Sequence, residues 1–189
     1  MPRSLRVALP PVLLTLALTG CAGAGNPKQP SFEGAAYPPG IVAPGFTLRD
    51  EVGHAVSLSD YRGKVVALTF LSSSCRTCTL VAQQIRGALD ELRSPRDVST
   101  IFVSTNPHQD TPARVTGFLK ATSLTTRAVY LSGSQRQLRP VLRSYHVTGA
   151  EDGVTVLLID RAGIERVAFG IEQITPEVVA HDIRLLLTG

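Results

Sequence analysis

Three cysteines in 189 residues are too few for a disulfide-framework scaffold. Charge of one sign is also scarce: 19 Lys and Arg face 15 Asp and Glu, a formal +4. Arg3 and Arg6 lie in the first 20 residues, where no acid occurs, and the other 17 cations against 15 acids leave only +2. The basic balance thus points to no nucleic acid, and no run of Lys and Arg with interleaved aromatics forms a binding patch. There is no internal repeat, and no apolar run reaches the roughly 20 residues of a membrane-spanning helix. What is present is ordinary for a globular chain. Hydrophobic residues make up 43% and charged residues 18%, which excludes wholesale disorder.

The N-terminus reads as an address. Residues 1–6 carry two positive charges, and residues 7–18 are apolar apart from Thr15, with Pro10 and Pro11 inside. These are the n-region and h-region of a secretory signal. Leu18-Thr19-Gly20-Cys21 follows and looks like a bacterial lipobox. The expectation is a lipoprotein signal peptide over 1–20, cleavage before Cys21, and lipid on the Cys21 sulfur. An ordinary signal peptide with an incidental cysteine is the rival. A lipid there anchors the protein to a membrane without spanning it, on the extracytoplasmic face of the cell envelope. Disulfides persist in that compartment. Residues 21–42 hold the lipidated cysteine and a tether rich in Gly and Pro, which cannot bury enough surface to fold.

The remaining residues, 43–189, alternate between strand and helix patterns. Phe46-Thr47-Leu48 and Ala55-Val56-Ser57-Leu58 suggest a short hairpin. Residues 65–71 form a nearly continuous apolar run, the mark of a strand buried on both faces. Val81, Ile85, Ala88, Leu89 and Leu92 fall at helical spacing. Further strands are expected over 99–103, 127–131, 154–159 and 164–169. Thr111-Pro112 and Thr175-Pro176 open two helices with cap and proline in favourable places. Leu138, Val141, Leu142 and Tyr145 mark another, which Pro140 should make start late or kink. The order gives an α/β sandwich on one mixed sheet, parallel at first and closing with a hairpin, behind an N-terminal β-hairpin extension.

Cys75-Arg76-Thr77-Cys78 stands between the buried strand and the first helix. A cysteine at a helix N-terminus meets unpaired N–H groups and the positive dipole end, which favour a thiolate, and Arg76 pushes the same way. Cys75 is the expected attacking thiol, and Cys78, one turn on, the resolving thiol. Half a zinc site is disfavoured, because no second cysteine pair exists. A merely structural disulfide remains a rival.

The segments Ala43-Pro44-Gly45-Phe46-Thr47-Leu48 and Leu58-Ser59-Asp60-Tyr61-Arg62-Gly63-Lys64 resemble the opening of thioredoxin-like redoxins. Phe102-Val103-Ser104-Thr105-Asn106-Pro107-His108-Gln109-Asp110-Thr111-Pro112 is similar to the FVSVDPxRDTP stretch of Sco/SenC proteins, and Leu157-Leu158-Ile159-Asp160-Arg161-Ala162-Gly163 to their YLIDPxG stretch. The resemblance implies a thioredoxin-like α/β/α fold. It also implies cysteine or copper chemistry on exported proteins, including subunits of a respiratory oxidase.

The departures are informative. The family's copper site uses C-x-x-x-C and a distant histidine; here the cysteines are one residue closer, and Glu151-Asp152-Gly153 stands where Asp-His-Ser is expected. His146 is the nearest substitute ligand, otherwise a cap or surface residue, and His108 falls in a polar loop. The proline of the peroxiredoxin motif and the thioredoxin proline near Val154 are both missing. The expectation is a thiol–disulfide oxidoreductase that requires no cofactor. The alternative is a copper chaperone using Cys75, Cys78 and His146, and the third reading is a redox-inert lipoprotein.

Overall fold

The computed structural model describes residues 31–92, 95–148 and 154–189. Strands β1 (Ala35–Ala36), β2 (Thr47–Arg49), β3 (Ala55–Ser57) and β4 (Val65–Leu71) precede helix α1 (Arg76–Glu91). Next come β5 (Val98–Ser104), α2 (Pro112–Ala121), β6 (Ala128–Leu131) and α3 (Gln135–Ser144). The chain closes with β7 (Val156–Ile159), β8 (Glu165–Phe169) and α4 (Pro176–Thr188).

The apolar run of β4 is buried at every position because it lies inside the sheet and is covered on both faces. The strand order is β1-β8-β7-β4-β5-β6. β4, β5 and β6 run parallel, β7 runs antiparallel beside β4, and β8 antiparallel beside β7. One face packs Val81 and Ile85 of α1, Phe118 of α2 and Ile183 of α4 against Leu71 and Phe102. The other packs Leu138 and Val141 of α3 and Leu48 of the β2–β3 hairpin against Leu68 and Ile101. This is the thioredoxin-like α/β/α sandwich with a mixed sheet.

Two expectations need correction. The folded part reaches back beyond Ala43. Ala35 and Ala36 pair with Ala168 and Val167, and Phe32 packs against the core. Asp182 of α4 accepts the backbone N–H groups of Glu33 (2.9 Å) and Gly34 (3.0 Å). A Cβ on residue 34 would stand 2.5 Å from Val167 Cγ1, so only glycine lets the chain cross there. A tether reading from Gly and Pro content cannot see such a partner, which lies 148 residues away. The second correction concerns one arm of the Pro140 expectation: α3 starts at Gln135, ahead of the proline, so the helix does not start late. The proline's missing N–H and ring clash cost about 3 kcal/mol in a helix interior. Burial of Leu138 and Val141 and a Ser134–Gln137 capping box offset that cost.

Candidate redox site

β4 ends at Leu71, and Ser72, Ser73 and Ser74 carry the chain to the mouth of α1. Cys75 is the N-cap: its backbone is extended, and its sulfur accepts the Cys78 N–H at 3.1 Å. A cap position directs a side chain at the free N–H groups of the first turn, where negative charge is favoured. Cys75 and Cys78 form a disulfide, with Cα atoms 5.2 Å apart. Cys75 is half-buried and Cys78 fully buried against the α1 core, so an incoming thiolate reaches the Cys75 sulfur first. Arg76 is exposed at the first helical position.

Beneath this loop lies a residue the sequence reading did not single out. Asp110 is 5% exposed, and its two oxygens accept five hydrogen bonds. Oδ1 takes the Ser72 hydroxyl (3.0 Å), the Ser73 N–H (2.8 Å) and the Ser73 hydroxyl (2.7 Å). Oδ2 takes the hydroxyls of Ser104 (2.5 Å) and Tyr130 (2.8 Å). Burial, and then the Asp110 charge, hold the Tyr130 phenol far above its ordinary ionisation, so it stays a donor. The Ser74 hydroxyl donates to Gln109 at 2.6 Å, which brings the polar loop of the Asp-Thr-Pro stretch beside the cysteines. The available signal was three serines before the cysteine pair, with Ser104 pairing opposite Leu71 on the neighbouring strand.

The other candidates stand apart. His146 is exposed with φ of 56°, the left-handed residue that ends α3; its N–H donates to the Arg143 carbonyl, and that of Val147 to Leu142. It lines a cleft with Tyr37 and Glu165, and the cysteines are not part of that cleft. Among the described residues, no three His, Cys, Asp or Glu gather to hold a metal ion, and His146 lies in a cleft that the cysteines do not line. His108 is exposed. Cys21 and Glu151-Asp152-Gly153 lie outside the described residues, among which no helix is long and apolar enough to cross a membrane.

Comparison with solved structures finds the same fold. Apo Sco1 from Thermus thermophilus is 20% identical with a TM-score of 0.70, covering 84% of this chain and 99% of that one. Copper-bound ScoI from Bradyrhizobium japonicum is 25% identical with a TM-score of 0.60, covering 77% and 99%. A SCO1/SenC family lipoprotein from Bacillus anthracis is 19% identical with a TM-score of 0.63, covering 78% and 95%. No curated protein matches by sequence. The SCO1/SenC family model matches residues 35–186, from the first sheet strand to the last turn of α4, and the chain belongs to that family.

Proposed function

We propose that this protein is a thiol–disulfide oxidoreductase of the Sco type, anchored by lipid on Cys21 at the extracytoplasmic face of a membrane. The observation that carries the redox reading is the disulfide at the helix mouth, with Cys75 as N-cap and Cys78 buried behind it. The lipobox and the Bacillus anthracis lipoprotein of the same fold support the anchor. In the reduced protein, the Cys75 thiolate attacks a substrate disulfide, forming a mixed disulfide and expelling one substrate thiolate. The Cys78 thiolate then attacks the Cys75 sulfur and expels the second. The substrate gains two electrons and, from water, two protons, and the protein is left as the disulfide. A dithiol reductant of the envelope resets it. The substrates are cysteines of exported proteins, among them copper-site cysteines of a respiratory oxidase subunit.

The test is a redox titration read by thiol alkylation. A single two-electron transition, with Cys75 alkylated faster than Cys78 in the respective single mutants, is expected. Cys78→Ser should accumulate long-lived mixed disulfides with partner proteins and Cys75→Ser none. Equal alkylation rates, or trapping by both mutants, would leave the bond merely structural.

A copper-delivery role is the second reading, favoured by the family and by copper-bound ScoI from Bradyrhizobium japonicum. Two thiolates suit Cu(I). The described residues offer no third ligand beside them, so no step here runs through copper. Loss of Cu(I) to a competing chelator is the expected result, and retention abolished by His146→Ala would reverse the order of the two readings.

A further inference from the structure

On the sheet face that carries α3, a cleft of about 360 Å³ opens between residues 37–44, the end of α3 and strands β7 and β8. Phe70, Leu157, Val42 and the rings of Tyr37 and Tyr145 make most of its wall. Glu165 is the exception. It is 7% exposed, lines the cleft, and its carboxylate has no hydrogen bond or ion pair among the described residues.

A register shift aims it there. Alternation along β8 sends Val167 and Phe169 into the α1–α4 core, and Glu165 would follow at the same two-residue spacing. Instead Leu158 pairs with Val167 while Ile159 pairs with Glu165, leaving Arg166 as the extra residue of a β-bulge. Glu165 is thereby turned to the face that Leu157 and Ile159 share. Bulges of this kind re-aim a side chain next to functional sites. Burial pushes the Glu165 carboxyl above its ordinary pKa, opposed by the charge of His146. The Tyr145 hydroxyl donates to the Pro44 carbonyl at 2.7 Å, which leaves its oxygen free to accept.

We propose that this cleft binds a basic side chain, arginine or lysine, presented by a partner polypeptide. A carboxylate held among apolar and aromatic walls, with no hydrogen bond or ion pair among the described residues, is stabilised by an incoming cation. Apolar walls take the methylene stem while the charged head meets the acid. Aromatic side chains suit a cation. A neutral ligand leaves the acid unpaired, and an anion is repelled. A bare metal ion would want more ligands than Glu165 and His146 supply. The volume is at the lower end for ligand clefts, enough for one extended side chain.

Tyrosine fluorescence reads the site directly, because two of the four tyrosines, Tyr37 and Tyr145, line it and tryptophan is absent. Full-length protein in detergent is titrated with the N-acetyl methylamides of arginine, lysine and citrulline. The two cations should saturate the signal and the neutral citrulline compound bind at least tenfold more weakly. Glu165→Gln should lower the arginine affinity at least tenfold. Should that variant not fold, Val42→Lys serves: Val42 is 60% exposed on the rim, so a lysine there offers a competing ammonium in cis at no cost to the core. Cys75→Ser should bind as wild type does, which separates this site from the redox reading. Citrulline binding as tight as arginine, no saturable signal, or an unchanged affinity in the folded variant would overturn the proposal.

Discussion

Asp110 and Asp182 are both buried carboxylates, and among the described residues neither pairs with an Arg or Lys; the difference lies in what each one holds. Asp110 collects donors from three places, the serine loop, the end of β5 and β6, and four of the five are hydroxyls. Asp182 takes the backbone N–H groups of two consecutive residues, with His181 at 2.9 Å beside them. One is a junction under the loop that leads to the cysteine pair, and the other a clasp on a single strap. Hydroxyls rotate and can be deleted one at a time, whereas backbone donors are fixed by the path of the chain. The first arrangement tunes a site, and the second fixes a segment.

The largest break in this comparison is Asp110→Ala. It leaves the fully buried Ser104 hydroxyl and the part-buried Ser73 N–H without their acceptor, while the Tyr130 hydroxyl keeps the Leu71 carbonyl, and an unmet donor in the interior costs about 1–3 kcal/mol. Urea unfolding should show a loss of about 3 kcal/mol, and the alkylation rate of Cys75 in the reduced protein should change as the serine loop loosens. Asp182→Asn keeps one acceptor and the shape of the side chain. It should cost about 1 kcal/mol and speed amide exchange at residues 33–36, leaving the Cys75 alkylation rate untouched. If both substitutions moved that rate alike, the division of labour between the two carboxylates would be wrong.

A third, smaller effect supplies the exposed reference. Asp90 pairs with Arg86 and Arg127, its side chain 46% exposed, and the hydrogen bond from Arg127 holds its carboxyl below the ordinary value of 3.8. A depressed folded value means that stabilisation is present above 3.8 and is lost as pH falls through the lower folded value. Solvent screening limits the gain. Asp90→Asn should cost no more than about 0.5 kcal/mol at neutral pH, and in acid unfolding curves the gap from wild type should close below the folded value.

Much of the fold was legible because its signals are local. The seven residues of the β4 run, apolar but for Thr69, coincide with the strand, and Thr111-Pro112 and Thr175-Pro176 open their helices as the capping rules require. The cysteine pair was legible for the same reason, since the junction of strand and helix is written in adjacent residues. The rest needed partners distant in sequence. Asp110 looks like a loop residue until Ser72, 38 residues away, is found beside it. The strap at Ala35–Ala36 depends on β8 and on Asp182. Glu165 was hidden by periodicity, because a bulge changes which face a residue takes without changing the composition of the strand.

The two residue pairs of β1 do more than lengthen the sheet. Without them, β8 would be an outer strand with a row of open N–H and C=O groups, the template on which sheets of neighbouring molecules join. Under the proposed lipid anchor the protein would be crowded in two dimensions, where such encounters are frequent. A strand too short to recruit another, pinned by a buried acid, is then a guard against self-association. At the far edge, Arg49 bridges Ser132 just past the end of β6 and closes that corner in the same way.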